Sequence, residues 1–257
     1  MPGEVVFEAK NMKKVFGPIV ALKGVDIELR RGEIRGLVGE NGSGKSTIMS
    51  IASGMQPATS GEMFYKGKPW KPSSMLESQR AGISMILQES NTIGGASVAE
   101  NLFAGRENLF AKFGILLRKK MNKAANEMLD KFGISHIRGE MPINSLTFED
   151  RKLVEIVRCV TDETEILVVD ETTTALSLEG RQILYKLVHK MCDEGKSIVF
   201  VSHDMDEIMK QCTCLTVLRD GEIIGHLTRE EMDEPHAIKK IRQMMVGRDI
   251  GDAYYRE

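Results

Sequence analysis

With 257 residues, 42% of them apolar, the chain is long enough for one large α/β core carrying an inserted lobe, and its composition is that of a globular protein. A formal net charge of −2 and a pI near 6.3 exclude the strongly basic face that grips nucleic acid. No apolar run approaches the roughly 18 residues of a membrane-spanning helix, and the N-terminus lacks a basic-then-apolar leader, so the sequence reads as cytosolic, with membrane contact only through a partner.

In chain order, Val5–Glu8 and Val25–Arg30 read as strands, and Arg35–Val38 as a third that runs into a glycine-rich turn and a helix beginning near Lys45. Gly61–Tyr65 reads as a strand of a small antiparallel layer, and Ile83–Leu87 as a short buried strand. From about residue 89 to 160 the pattern becomes helical. Leu117, Met121, Ala125, Met128 and Phe132 recur at helical spacing, with Gly133 as the C-cap, and that stripe reads as core. The α/β alternation returns with Ile166–Val169, a helical stretch Leu178–Cys192, and Ser197–Val201. Leu215–Leu218 and Glu222–Ile224 flank Asp220-Gly221, a hairpin turn signal. The pattern predicts an α/β fold: a mostly parallel sheet with helices on both faces, an antiparallel β layer, and a helical subdomain at about 89–160 inserted in one domain spanning 1–257. The scattered Cys159, Cys192, Cys212 and Cys214 read as reduced thiols. A soft metal on the Cys212/Cys214 pair is the alternative, and further ligands near that pair are missing.

Gly39-Glu40-Asn41-Gly42-Ser43-Gly44-Lys45-Ser46-Thr47 contains the full G-x-x-x-x-G-K-[ST] pattern, after an apolar strand and at the opening of a helix. Such glycines let successive N–H groups face inward as an anion nest, to which the helix N-terminus adds its positive end. Lys45 is expected to reach the β- and γ-phosphates of ATP, and the Ser46 hydroxyl to ligate Mg²⁺. An ordinary glycine turn before a helix is the plain alternative. Ile166-Leu167-Val168-Val169-Asp170-Glu171 is a buried strand ending in two carboxylates that face opposite ways. Asp170 is assigned to the metal through water, and Glu171 to polarising the attacking water. Two acids after a strand can also be a helix N-cap, a reading that loses force beside the glycine loop. His203, after Ile198–Val201, is placed either to hydrogen-bond the γ-phosphate or to serve structurally. Gln88, after Ile83–Leu87, is either a neutral Mg²⁺ ligand or a loop amide. Ligands of open α/β sheets gather at the C-terminal edge of the strands, where Lys45, Gln88, Asp170, Glu171 and His203 would all sit.

This order of landmarks resembles an ABC (ATP-binding-cassette) ATPase subunit over nearly the whole chain. The resemblance implies a P-loop (RecA-like) core, ATP and Mg²⁺ as cofactors, and functional roles for Gln88 and His203, which match the family's Q-loop and H-loop. Phe16 sits where the family stacks an aromatic on adenine; a core phenylalanine is the alternative. Val38-Gly39-Glu40-Asn41-Gly42, Ser97-Val98-Ala99-Glu100-Asn101, Gly105-Arg106-Glu107, Leu218-Arg219-Asp220-Gly221 and Met245-Val246-Gly247-Arg248 look like the branch that powers uptake of galactose, ribose or xylose. In that branch the ATPase usually carries two cassettes. This chain resembles the first, as an excised half or as a natural separate subunit.

One element departs from the family pattern. The family's Leu-Ser-Gly-Gly-Gln signature, whose N–H groups close on the γ-phosphate of the opposite cassette, is matched here by Leu146-Thr147-Phe148-Glu149-Asp150. Thr147 keeps a hydroxyl and makes a good N-cap with acids in the first turn, but both glycines are gone. A free carboxylate about 5 Å from a phosphate charge costs roughly 3 kcal/mol at an effective dielectric of about 20. Thr172 stands where proline is common, and Ser177 where many cassettes carry aspartate. The departure implies a heterologous second cassette as partner, on the same parent chain or a separate subunit. The resemblance adds permease subunits, an extracellular or periplasmic substrate-binding protein reached indirectly, and a peripheral place on the cytoplasmic face of the membrane. Two other readings are a regulatory cassette that binds ATP without turnover, and a cassette acting on ribosomes or DNA, which the acidic charge and the lack of basic arms or a coiled-coil insert disfavour.

Overall fold

The computed structural model describes residues 3–247. Strands β1 (Val5–Phe16) and β2 (Ile19–Arg30) form one long antiparallel hairpin, from the Val5↔Arg30 pair to Phe16↔Ile19. The sequence reading found only the outer ends of this hairpin. Its middle hides because the register shifts between Ala9 and Met12, around Asn11 at φ 48°, which breaks the alternation of buried and exposed positions. After β3 (Ile34–Val38) and helix α1 (Lys45–Ala52), β4 (Ser60–Tyr65) pairs antiparallel with β1 and carries the two-residue β5 (Lys68–Pro69), giving a four-stranded sheet in the order β2-β1-β4-β5.

Helix α2 (Met75–Ala81), capped by Ser74, leads into β6 (Ile83–Ile86). The region expected to be helical holds α3 (Val98–Leu102), α4 (Arg118–Lys131) and α5 (Phe148–Cys159), and also a small hairpin, β7 (Ala111–Lys112) and β8 (Ile115–Leu116), that the helical reading did not include. Its turn is Phe113-Gly114, both at positive φ. In α4 the buried stripe is Met121, Ala125 and Leu129, with Met128 and Phe132 packed beside it. Gly133 follows with φ 73°. Its N–H reaches the Asp130 carbonyl at 3.0 Å and the Ile134 N–H reaches Leu129 at 2.9 Å, the paired bonds of a left-handed helix stop.

The chain then runs through β9 (Ile166–Asp170), α6 (Leu178–Asp193), β10 (Ser197–Val201), α7 (Met205–Gln211), β11 (Cys214–Arg219), β12 (Glu222–Thr228), α8 (Arg229–Met232) and α9 (Ala237–Val246). The central sheet has the order β12-β11-β3-β10-β9-β6, parallel throughout except for β12 at its edge. The β11–β12 turn is Asp220-Gly221, with φ values of 52° and 78°.

The strands of this sheet are apolar without alternation because both faces are covered. Along β9, Leu167 and Val169 point into a core shared with α4, α5 and α6. Ile166 and Val168 point into a second core, between the central sheet, α1 and the β1–β2 hairpin. Cys159, Cys192, Cys212 and Cys214 are free thiols; burial pushes Cys159 up to about 11 and Cys214 up to about 12. Phe200 on β10 is fully buried and packs near Tyr185 of α6. Phe200→Ala is expected to lower the free energy of unfolding by about 3–5 kcal/mol. Denaturant titration checks this, and a loss under about 1 kcal/mol would mean that the site is not tightly packed.

Candidate functional site

The parallel register sets the site. Val201 pairs with Leu37 on one side and Asp170 on the other, and Ile86 pairs with Val169. The residues that follow β3, β10, β9 and β6 therefore leave the sheet at one edge. They are Gly39, Ser202-His203, Glu171 and Leu87-Gln88, and the edge is the C-terminal one where α/β sheets bind ligands.

The loop Gly39–Thr47 is held by its surroundings. A Cβ on Gly44, which has φ 107°, would lie 2.7 Å from Leu22 Cδ2 and 2.9 Å from the Ala21 carbonyl, so the loop needs glycine for both conformation and space. Gly221 N–H donates to the Ser43 carbonyl at 3.0 Å, and Lys23 N–H donates to the Gly221 carbonyl at 2.9 Å. The β11–β12 turn thus braces the loop against β2. No side chain caps the N-terminus of α1, so its first N–H groups stay open to an anion.

Two features test whether this cradle fits a phosphate. The Ser43 hydroxyl is buried and has no hydrogen-bond partner among the described residues. Lys45 is buried and turns its ammonium onto carbonyls of its own loop, Gly39 at 2.9 Å and Glu40 at 3.0 Å. Burial holds the Lys45 pKa below its ordinary value, while Glu171 and Asp170 pull it back up. A buried cation and an orphan donor at an uncapped helix start are what a multiply charged phosphate chain would satisfy.

Asp170 is 5% exposed at the end of β9, and its Oδ1 accepts from Ser46 Oγ at 3.1 Å. Burial raises its carboxyl above the ordinary value, the Ser46 bond lowers it, and the Glu171 charge raises it again. A buried carboxylate beside a hydroxyl, with a second carboxylate next in sequence, is the hard-oxygen set that suits a divalent cation such as Mg²⁺.

Glu171 has φ 43°, the left-handed region, which is uncommon for this residue and is held here by its N–H bond to the Val201 carbonyl at 3.0 Å. One carboxylate oxygen accepts from Gln88 Nε2 at 3.2 Å, and the other lies 3.8 Å from His203 Nδ1. The structure thus brings Gln88, Glu171 and His203 together, and Ser46 with Asp170. Phe16 lies instead on the β1–β2 hairpin. It is 44% exposed at the tip of the β1–β2 hairpin, beside the exposed Val15, Ile19 and Val20 and with the Lys14 ammonium 4.8 Å from its ring centroid. The return strand of that hairpin is the one that touches Gly44. Glu40, Asn41 and Gly42 form the exposed crest of the loop, and Thr47 is half-buried behind it.

Several supporting residues were missed in the sequence reading. Glu207 on α7 is buried and accepts from Thr173 Oγ1 (3.0 Å), Ser202 Oγ (2.6 Å) and Tyr185 Oη (2.5 Å). It ties the exit of β9 to the exit of β10, and so sets Glu171 against His203. Burial, then the bond to Glu207, pushes the Tyr185 hydroxyl pKa well up. Lys152 and Glu155 on α5, both buried, hold the exit of β6. The contacts that tie separate segments, such as Glu207 with Thr173 and Lys152 with Leu87, join residues distant in sequence, so no local spacing connects them.

In the stretch matched to the signature, Leu146 is half-buried, Thr147 caps α5 and Phe148 is 50% exposed. The two acids do not stand free. Asp150 Oδ2 accepts from Thr147 Oγ1 at 2.8 Å and Oδ1 lies 2.8 Å from His136 Nε2; burial would raise its pKa, but these bonds hold it below the ordinary value. Glu149 Oε1 accepts from the Ser177 N–H at 3.0 Å and the Ser177 hydroxyl at 2.5 Å, and that hydroxyl accepts from Gly180 N–H at 3.2 Å. Glu149 therefore sits at the positive N-terminus of α6. A Cβ on Gly180 would lie 2.5 Å from the same oxygen. The electrostatic penalty argued for free carboxylates is thereby reduced, and the exposed bulk of Phe148 becomes the more direct departure.

A glycine-rich loop between a central parallel strand and a helix, facing a buried acid and the acid next to it at the sheet edge, is the arrangement of a P-loop nucleotide-binding cassette. The chain belongs to the ABC transporter family, whose model matches residues 22–174. Among curated relatives, the ribose import ATP-binding protein RbsA 2 of Escherichia coli O157:H7 is 38% identical over 98% of this chain and 48% of its own length. The ribose import ATP-binding protein RbsA of Bacillus cereus (strain ZK / E33L) is 34% identical over 96% and 49%. The chain spans about half the length of the curated relatives it matches. Among solved structures, MJ1267, an ATP-binding cassette of an ABC transporter, aligns with a TM-score of 0.79 at 25% identity over 94% of this chain and 98% of that one. The dimeric bacterial cassette MJ0796 aligns at 0.75 and 25% over 87% and 98%.

The stretches that resemble the sugar branch have structural work in this fold. Ser97 and Glu100 make a reciprocal cap on α3, and the buried Asn101 bonds the backbone of Ile93 and Ser97. Glu107 accepts from Gly105 N–H, Arg106 donates to Leu102, and Arg219 donates to the Met244 carbonyl. Arg248 lies outside the described residues.

The Glu149–Ser177 contact gives a prediction. Ser177→Asp places a second carboxylate against Glu149, so it is expected to destabilise this chain but not a Glu149→Gly background. The coupling expected from the double-mutant cycle in unfolding experiments is about 0.5–3 kcal/mol. Additive effects would show that Glu149 does not hold this position.

Proposed function

We propose that the chain is an ATP-hydrolysing cassette that powers a membrane importer, with a simple sugar as cargo. The observation that carries the ATPase reading is the gathering of Lys45, Ser46, Asp170, Glu171, Gln88 and His203 at one sheet edge. The cargo rests on the relatives, which are named for ribose import.

In this reading the phosphates of ATP lie in the Gly39–Thr47 loop and Lys45 turns from its own carbonyls onto them. Bound Mg²⁺ would neutralise charge on the β- and γ-phosphate oxygens. Ser46 Oγ, Asp170 and the Gln88 amide would hold it. Glu171 orients and polarises the attacking water; its carboxylate is fixed by Gln88 on one oxygen, with His203 near the other. His203 hydrogen-bonds the γ-phosphate. Phe16, with the exposed apolar hairpin tip around it, takes the adenine ring.

The remaining elements of the reading concern partners. We read residues 1–257 as one cassette with its helical subdomain inserted at about 89–160. No helix among the described residues is long and apolar enough to cross a membrane. The reading therefore places the cassette peripherally on the cytoplasmic face, against permease subunits, with a substrate-binding protein acting on the far side. Two copies of this chain would each present Phe148 and Glu149 where glycines normally close on the opposite nucleotide. A heterologous cassette with glycines there, on the same parent chain or a separate subunit, would complete one working site. The same two residues favour a second reading, a regulatory cassette that binds ATP but does not turn it over.

The test is ATP hydrolysis by the chain alone and mixed with a candidate partner cassette. The expected result is negligible turnover alone, restoration by the partner, and a loss of about 10²–10⁴-fold in Glu171→Gln. Robust turnover alone would contradict the need for a heterologous partner. No turnover with a partner of intact signature would favour the regulatory reading.

A further inference from the structure

Lys152 lies on α5, just past the Thr147 cap, and is fully buried, among the largest side chains of the interior. Its Nζ donates to the carbonyls of Leu87 (3.0 Å), Gln88 (3.3 Å) and Glu89 (3.2 Å), and lies 2.8 Å from Glu155 Oε2. Glu155 is 2% exposed, and its other oxygen accepts from Ser90 Oγ at 2.8 Å and from the Asn91 N–H. The pair therefore binds the backbone or side chain of every residue from 87 to 91, the segment in which β6 leaves the sheet. Within that segment the Gln88 side chain is exposed and reaches Glu171 Oε2 at 3.2 Å.

Core filling does not account for this pair. Its neighbours on α5, Leu153, Val154, Ile156 and Val157, are buried and apolar, and a methionine and a leucine would occupy the same volume without desolvating two charges. What the charges add is a set of directed bonds to one loop. Three ammonium donors meet a carbonyl-lined turn, and the carboxylate neutralises the ammonium while gripping the far end of the same turn.

We propose that Lys152 and Glu155 are positioning residues for Gln88. They fasten the backbone of residues 87–91 to α5, so that the Gln88 amide meets Glu171 and the divalent cation of the nucleotide site, and a displacement of α5 carries Gln88 with it. The proposal rests on the nucleotide-site reading above. It makes the helix that follows the signature stretch and the loop that meets the metal one mechanical unit.

The test uses the double variant Lys152→Met/Glu155→Leu, which removes both buried charges together, in the full 257-residue chain. ATP affinity is measured calorimetrically in Mg²⁺ and in EDTA. Affinity in EDTA is expected to stay within about twofold, while the tightening brought by Mg²⁺ shrinks about tenfold, as in Gln88→Ala, with no further loss when the two changes are combined. Amide exchange at Asn91 is expected to speed up about tenfold or more, with Val169 and Phe200 unchanged. A variant with native core exchange that keeps the whole Mg²⁺ increment overturns the proposal, as do losses that add to those of Gln88→Ala. Lys152→Gln, which keeps uncharged donors toward the carbonyls, carries the same comparison where the double variant does not fold. An unmodified chain without a Mg²⁺ increment overturns the proposal alone. One that binds no ATP overturns the nucleotide-site reading with it.

Discussion

Asp170 closes β9 in register with Val201 of β10, and Val201 pairs in turn with Leu37 of β3. That alignment of three parallel strands is what the rest of the molecule depends on. It brings a glycine loop to one edge of the sheet beside a buried carboxylate, a strained glutamate and a histidine that lie more than a hundred residues further along the chain. The alignment is secured from both faces by apolar side chains, and at the edge by the buried Glu207, which joins Thr173 to Ser202. A slip of one residue in any of these strands would turn Asp170 away from Ser46 and exchange the side chains of the two cores.

The edge is an electrostatically unfinished place. Lys45 is buried and leans on carbonyls, Asp170 is buried with its carboxyl raised, and the Ser43 hydroxyl has no partner among the described residues. Ser43 departs from the rule that buried polar groups are satisfied, Lys45 and Asp170 are buried charges, and the three suit one ligand class, a polyphosphate with a divalent cation. The opposite holds at the signature stretch. There Glu149 and Asp150 have found partners inside the chain, on the N-terminus of α6 and on His136, so the acids stabilise this chain locally while leaving Phe148 on the surface. In the proposed reading the cassette would grip nucleotide with the groups at this edge and offer an altered face to a second cassette.

How much of this was legible in the sequence follows from how local each signal is. The glycine loop, the Asp170-Glu171 pair, the Asp220-Gly221 turn and the uninterrupted apolar strands are written within a few consecutive residues, and each was read where the structure has it. The β1–β2 hairpin was read short because the bulge at Asn11 breaks the two-residue period. The β7–β8 hairpin was lost inside a helical region because its strands have only two residues each. Lys152 with Leu87, Glu149 with Ser177 and Glu207 with Thr173 are pairs separated by 65, 28 and 34 residues, and no spacing rule connects them. A charged residue on a buried helix face, as at Lys152 and Glu155, is the one signal that would have pointed to such a clamp before its partner was known.

The central claim is that the Gly39–Thr47 loop and the sheet edge form a nucleotide site. A crystal structure of the chain with Mg²⁺ and a non-hydrolysable ATP analogue tests it most directly. The account predicts that the Lys45 ammonium leaves the Gly39 and Glu40 carbonyls for the phosphates, that the Ser43 hydroxyl gains its missing acceptor, and that the cation lies between Ser46 and Asp170. A nucleotide bound elsewhere, with Lys45 still on its own carbonyls and Ser43 still unpartnered, would contradict it.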